Sequence, residues 1–177
     1  SEDPLVGYDY IIGSVHYLKL DGKYVGFDRS ADEVQSVIDE YFGGDGVKYY
    51  KEYFRQFAEM PNYVKKIPDI VGHFDLIAKH DGKHFFFDTQ SKEYKDSALE
   101  CLHALAEKIG VFELNTGGLV RGYRDYPYLP PFILKELKKV VSYISISDYD
   151  KFSIRKRELI QALEEVNMPY LVLEDNL

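Results

Sequence analysis

Asp69-Ile-Val-Gly-His-Phe-Asp75 and Glu113-Leu-Asn-Thr-Gly-Gly118 decide how this chain reads. Each begins as a short apolar run, the pattern of a buried strand, and each ends in polar residues with a glycine that lets the backbone turn away. Two further segments share the form: Tyr10-Ile-Ile-Gly-Ser-Val-His16 upstream and Tyr143-Ile-Ser-Ile-Ser-Asp-Tyr-Asp150 downstream. In parallel α/β proteins the reactive groups gather at the carboxyl ends of strands, where loops and helix N-termini converge. Four strand ends carrying His, His, Glu/Asn and Asp/Asp predict a site there.

Between these strands the sequence predicts helices. Ser30-Ala-Asp-Glu33 is a capping-box pattern, followed by Val34, Val37, Ile38 and Tyr41 at helical spacing and stopped by Gly43-Gly44. A second helix is expected over 45–59, with Val47, Tyr50, Phe54 and Phe57 on one face. A third is expected over 93–109, with Ala98, Cys101, Leu102, Leu105 and Ile109 inward and Gly110 as its C-cap. Asp21-Gly22 marks a hairpin turn between 19 and 27. Residues 78–92 read as an extended loop, 131–139 and 155–166 as helices, and 8–16, 67–72, 111–114, 140–146 and 169–173 as strands. Strands separated by helices imply an α/β domain with a mostly parallel sheet.

The chain has 177 residues, enough for one domain with a substantial core. Its 45% apolar and 29% charged residues are a globular composition rather than a disordered one. Twenty-two basic against 30 acidic residues leave a formal charge of −8, which disfavours nucleic acid and anionic membranes as partners. The single Cys101 cannot form an internal disulfide, so a reducing, cytoplasmic setting is expected. No run of about 18 apolar residues predicts a membrane span, and the N-terminus lacks the pattern of a signal peptide. Tyrosine is abundant at 16, against 11 Phe and no Trp.

Several groups at the strand ends bear chemistry. His16 and His73 each have two readings, as a metal ligand or as a satisfied strand-end histidine. Asp75, two residues after His73, could steer that imidazole. Glu113 and Asn115 alternate along a strand and so share a face. Arg121 and Arg124 follow in a glycine-bearing loop, and guanidinium groups suit phosphate. Asp148 and Asp150 also share a face, where two carboxylates repel unless a cation or donor separates them. A helix N-cap explains one of them equally well. His80, His84 and His103 read as surface histidines. Paired cysteine ligands, His-Glu-x-x-His, a Gly-x-Ser-x-Gly elbow and a Gly-Lys-Ser/Thr phosphate loop are all absent from the sequence.

Taken in order, Tyr8-Asp-Tyr-Ile-Ile-Gly-Ser-Val-His-Tyr-Leu18, Asp69-Ile-Val-Gly-His-Phe-Asp-Leu76, Glu113-Leu-Asn-Thr-Gly-Gly-Leu119, Arg121-Gly-Tyr-Arg124 with Tyr126-Pro127, and Ser147-Asp148 resemble the histidinol-phosphatase branch of the PHP (polymerase and histidinol phosphatase) family over roughly residues 8–175. The resemblance implies a distorted (β/α)7, TIM-like barrel with divalent metal ions (Zn, Mn or Fe) at its strand ends. It implies His16, His73, Asp148 and Asp150 as metal ligands, Asp148 also as a catalytic residue, and Asn115, Arg121 and Arg124 as substrate-binding residues. The implied activity is metal-assisted hydrolysis of a phosphomonoester, histidinol phosphate in that branch. The family's His-x-His strand and bridging Glu are not found in this sequence, and Asp150 stands where a histidine is expected. The expectation is therefore a single PHP-like domain over 1–177, holding about two-thirds of the barrel with an open sheet edge. It is either a fragment completed by another segment or chain, or a shortened homologue, weak or inactive, serving as a binding or regulatory module. A third reading makes the likeness purely architectural.

Overall fold

The computed structural model describes residues 7–123, 126–140, 143–147, 163–164 and 170–172. Five strands form one parallel sheet: β1 (Ile12–Gly13), β4 (Ile70–Val71), β5 (Val111–Asn115), β6 (Tyr143–Ser147) and β7 (Tyr170–Val172), lying side by side in that order. The intervening β2 (Tyr17–Leu20) and β3 (Lys23–Gly26) make a separate antiparallel hairpin. Its turn residues, Asp21 (φ 48°) and Gly22 (φ 78°), are both left-handed, as the Asp-Gly dipeptide predicts.

Sequential parallel strands joined by right-handed crossovers place their helices on one face. That face carries α2 (Gly46–Glu59), α4 (Lys92–Ala106) and α6 (Pro131–Val140), with α2 against α4 and α4 against α6. Helix α1 (Ala31–Phe42) packs on α2. Along β5 the side chains alternate: Phe112 and Leu114 join the helix-side core, while Glu113 and Asn115 face the other way. The core is strongly aromatic. Tyr50 lies 4.9 Å from Tyr94, Phe54 5.5 Å from Tyr94, and Phe57 5.8 Å from Phe74, between ring centroids. Edge-to-face and offset contacts of this kind add to the burial of large rings.

Helix starts follow the sequence closely. Ser30 Oγ accepts from Glu33 N, and Glu33 Oε2 accepts from the amide of Arg29, one residue before the position a strict capping box uses. Gly43, at φ 63°, closes α1 as expected. Three expectations are corrected. The strands expected at 8–16 and 67–72 reduce to Ile12–Gly13 and Ile70–Val71. The loop expected at 78–92 begins at the last residue of a 3-10 turn, Leu76–Ala78, and contains the short α3 (Asp81–His84). Helix α4 ends at Ala106, and Gly110 does not cap it: the Ile109 amide still donates to Leu105 O at 2.8 Å. Of the helix expected at 155–166, Leu163 and Glu164 are helical and the rest lies outside the described residues. A closed barrel is not seen among the described residues, in which β1 and β7 form the two edges of the sheet.

Candidate functional site

Because the five strands run parallel, their carboxyl ends open on the same side of the sheet. His16 follows β1, His73 follows β4, and Asn115 ends β5. The rings of His16 and His73 meet edge to face with centroids 4.8 Å apart. Between β4 and β5, Glu113 is buried and its Oε2 accepts the backbone amide of His73 at 2.7 Å. Gly72 permits this approach. A Cβ there would stand 2.7 Å from Ile12 Cγ2 and 3.5 Å from Glu113 Oε2, so a side chain would wedge β1 away from β4.

The turn after His73 is held by tyrosines. Tyr53 donates its hydroxyl to Phe74 O at 3.0 Å, and Tyr94 donates its own to Asp75 Oδ1. The Asp75 amide donates to Tyr128 O, and the Tyr128 amide donates to Asn115 O at 3.0 Å. Asp75 is therefore buried against Tyr94 rather than steering His73, a correction to its sequence reading. Burial holds the His73 imidazole below its usual pKa. Glu113 opposes that shift and His16 adds to it. Its Nδ1 is buried and has no hydrogen-bond partner among the described residues.

His16 Nδ1 lies 3.0 Å from Asp28 Oδ2. That hydrogen bond, against the opposing effect of burial, holds the Asp28 carboxyl below its usual pKa, and Lys79 contributes in the same direction. The carbonyl of Asp28 accepts from Lys79 Nζ at 2.6 Å and is 3.1 Å from His80 Nε2. Tyr123 closes this wall, its ring 5.2 Å from Lys79 Nζ and 5.7 Å from the His80 ring. Neither Asp28 nor this role of His80 was anticipated. His80, expected on the surface, is half-buried against Asp28, whereas His103 is indeed half exposed, beside Glu136 at 3.3 Å.

The structure brings together His16, His73 and the end of β5. Asn115 is buried, and its Oδ1 accepts the Gly117 amide at 2.8 Å, so it shapes the turn into α5 (Gly117–Val120). Arg121 is exposed, its amide bonded to Gly117 O. Arg124, Asp148 and Asp150 lie outside the described residues. A separate groove of about 430 Å3 between α2 and α4 is lined by Lys51, Arg55, Glu59, Glu100 and Cys101. Its cations already pair with carboxylates, Lys51 with Glu93 and Arg55 with Glu52 and Glu59.

A family model for the PHP domain matches residues 3–117, about two-thirds of the chain, including His16, His73, Glu113 and Asn115. The chain belongs to the PHP domain family. Searches of curated proteins and of solved structures each find no match. PHP domains form a superfamily of metal-dependent hydrolases and typically bind divalent metals. The residues present fit part of such a site: two adjacent imidazoles, one with an unpartnered buried nitrogen, beside the Glu113 carboxylate. Among the described residues no group of three or more His, Cys, Asp or Glu side chains is arranged to hold a metal ion. Nor, among them, is any helix long and apolar enough to cross a membrane.

Proposed function

We propose that this PHP chain hydrolyses a phosphomonoester in a metal-dependent reaction, with histidinol phosphate as its substrate. The observation that supports this reading is the convergence of His16 and His73 at the carboxyl ends of parallel strands, with His73 Nδ1 buried and unpartnered among the described residues. His16 and His73 would hold a divalent ion (Zn, Mn or Fe), with Asp148 and Asp150 as further ligands and Asp148 as a catalytic residue. When bound, such an ion polarises phosphate oxygens and acidifies water.

The chain's own groups have separate tasks in this reading. Glu113 fixes the His73 backbone, and burial favours the neutral ring, the form in which imidazole donates a lone pair. Asn115, Arg121 and Arg124 would form the substrate end, the arginines gripping non-bridging oxygens in the bidentate manner of guanidinium. The sheet would be an arc of the family's distorted (β/α)7 barrel. The partners proposed are a small phosphomonoester and either a second copy or a further segment along the open β1 edge. Neither nucleic acid nor a membrane is among the proposed partners, and the proposed setting is cytoplasmic.

The test is metal content and phosphatase turnover of protein purified without chelator, assayed on histidinol phosphate and on other phosphomonoesters. His73→Ala should lose bound metal and turnover while remaining folded, and Arg121→Ala should raise KM. Unchanged metal content in His73→Ala sinks the assignment. A second reading, a catalytically weak or inactive homologue acting as a binding or regulatory module, is favoured by the lack of a three-donor group among the described residues. Metal near zero in the purified chain would select it.

A further inference from the structure

His16 lies in the irregular link between β1 and β2, its side chain 44% accessible. An imidazole so placed rotates and exchanges tautomers unless a neighbour fixes it, and which nitrogen keeps a lone pair is set by the hydrogen bond of the other. Asp28 is that neighbour. An ionised carboxylate only accepts hydrogen bonds, so the 3.0 Å contact between Asp28 Oδ2 and His16 Nδ1 requires the proton on Nδ1. Nε2 is then the nitrogen with a lone pair when the ring is neutral.

The carboxylate is itself held in place. The Asp28 carbonyl receives Lys79 Nζ and the His80 ring, both from the segment that follows β4. Tyr123, from the turn after α5, backs both of those side chains. Two separate stretches of chain thus hold the carbonyl, one directly and one by backing it, and through it the carboxylate that faces His16.

We propose that Asp28 is a positioning residue. Its carboxylate holds His16 as the Nδ1–H tautomer and keeps Nε2 available to a divalent cation shared with His73. What Nε2 receives rests on the metal-hydrolase reading; the tautomer does not. Carboxylates that orient metal-binding histidines in this way commonly contribute 10–100-fold to affinity.

The experiment is long-range 1H–15N correlation spectroscopy of the full chain, 15N-labelled and stripped of metal, above the pH at which histidine is neutral. Zinc titration follows on the same samples. Wild-type His16 should be protonated on Nδ1 and bare on Nε2. Asp28→Ala should reverse that pattern to the Nε2–H form favoured by an unrestrained imidazole and weaken zinc binding by about 10–100-fold. Asp28→Asn, which keeps an acceptor oxygen, should retain the wild-type tautomer and rescue most of the affinity. Lys79 and His80 hold a backbone carbonyl, so the tie between segments survives both substitutions and the variants should fold. An Nδ1 bare of its proton in wild type, or an unchanged tautomer in Asp28→Ala, overturns the proposal. Failure of wild-type protein to bind zinc overturns the metal reading instead, because the tautomer is measured without metal.

Discussion

Cys101 lies on the inward face of α4 with 2% of its surface accessible, and burial pushes its thiol pKa well above the usual range. The thiolate is the reactive form. A thiol reagent at about pH 8 should therefore leave native protein unmodified and label one group on unfolding in urea, as followed by a colorimetric disulfide exchange assay. A folded pKa raised above the unfolded value of about 8.5 contributes stability that is complete below that pH and lost as pH rises toward the folded pKa. The unfolding free energy of wild type should thus fall above about pH 8.5 more steeply than that of Cys101→Ala. Fast native labelling would show that the helix layer opens at this point. Single residues also show where the sequence was legible. The strand-end positions of His16 and His73 could be read because each follows an apolar run with a glycine in it. Asp28 could not, because its contact with His16 exists only once the β2–β3 hairpin folds back. Asp75 misled for a related reason: the nearest imidazole in sequence lost it to Tyr94, on a helix 19 residues away.

At the scale of elements, α4 links the core to the strand ends through that tyrosine. Tyr94 stacks with Phe87 at 5.6 Å, meets Tyr50 and Phe54 edge-on, and gives its hydroxyl to the buried Asp75. Phenylalanine keeps the ring contacts and removes the donor. Tyr94→Phe should cost about 1–3 kcal/mol in urea unfolding, the range for depriving a buried polar group of a partner. The methyl and aromatic packing signals of Phe54 and Phe87 should barely move in NMR spectra. A loss below about 0.5 kcal/mol would mean that Asp75 is satisfied without Tyr94. Elements with strong local signals were legible: Ser30, Asp45 and Ser91 each accept amide hydrogen bonds at the start of a helix, and Asp21-Gly22 makes the hairpin turn. The two-residue strands β1 and β4 were overestimated because apolar runs continue past the point where a neighbouring strand pairs with them. The excess of tyrosine over tryptophan was a usable signal, since buried phenols seek acceptors.

Across the whole molecule, the sheet separates two jobs. Its helix side holds the aromatic and aliphatic core, and its carboxyl ends hold the imidazoles and carboxylates. Leu105, fully buried in the last turn of α4, belongs to the first; His73 belongs to the second. Leu105→Ala should cost about 2–5 kcal/mol, a large part of the 5–15 kcal/mol typical of a folded domain. Zinc at 100 times its Kd should raise the stability of wild type by about 2.7 kcal/mol through mass action. That increment should persist in Leu105→Ala, because distant sites with no shared partner add independently. His73→Ala should do the reverse, keeping most of the intrinsic stability and losing the increment. Measured by urea unfolding with and without zinc, the two variants thus form a cross. If Leu105→Ala also loses its zinc increment, the helix layer and the strand ends are one energetic unit. If His73→Ala keeps its increment, the imidazoles at the strand ends do not bind the ion that stabilises the fold.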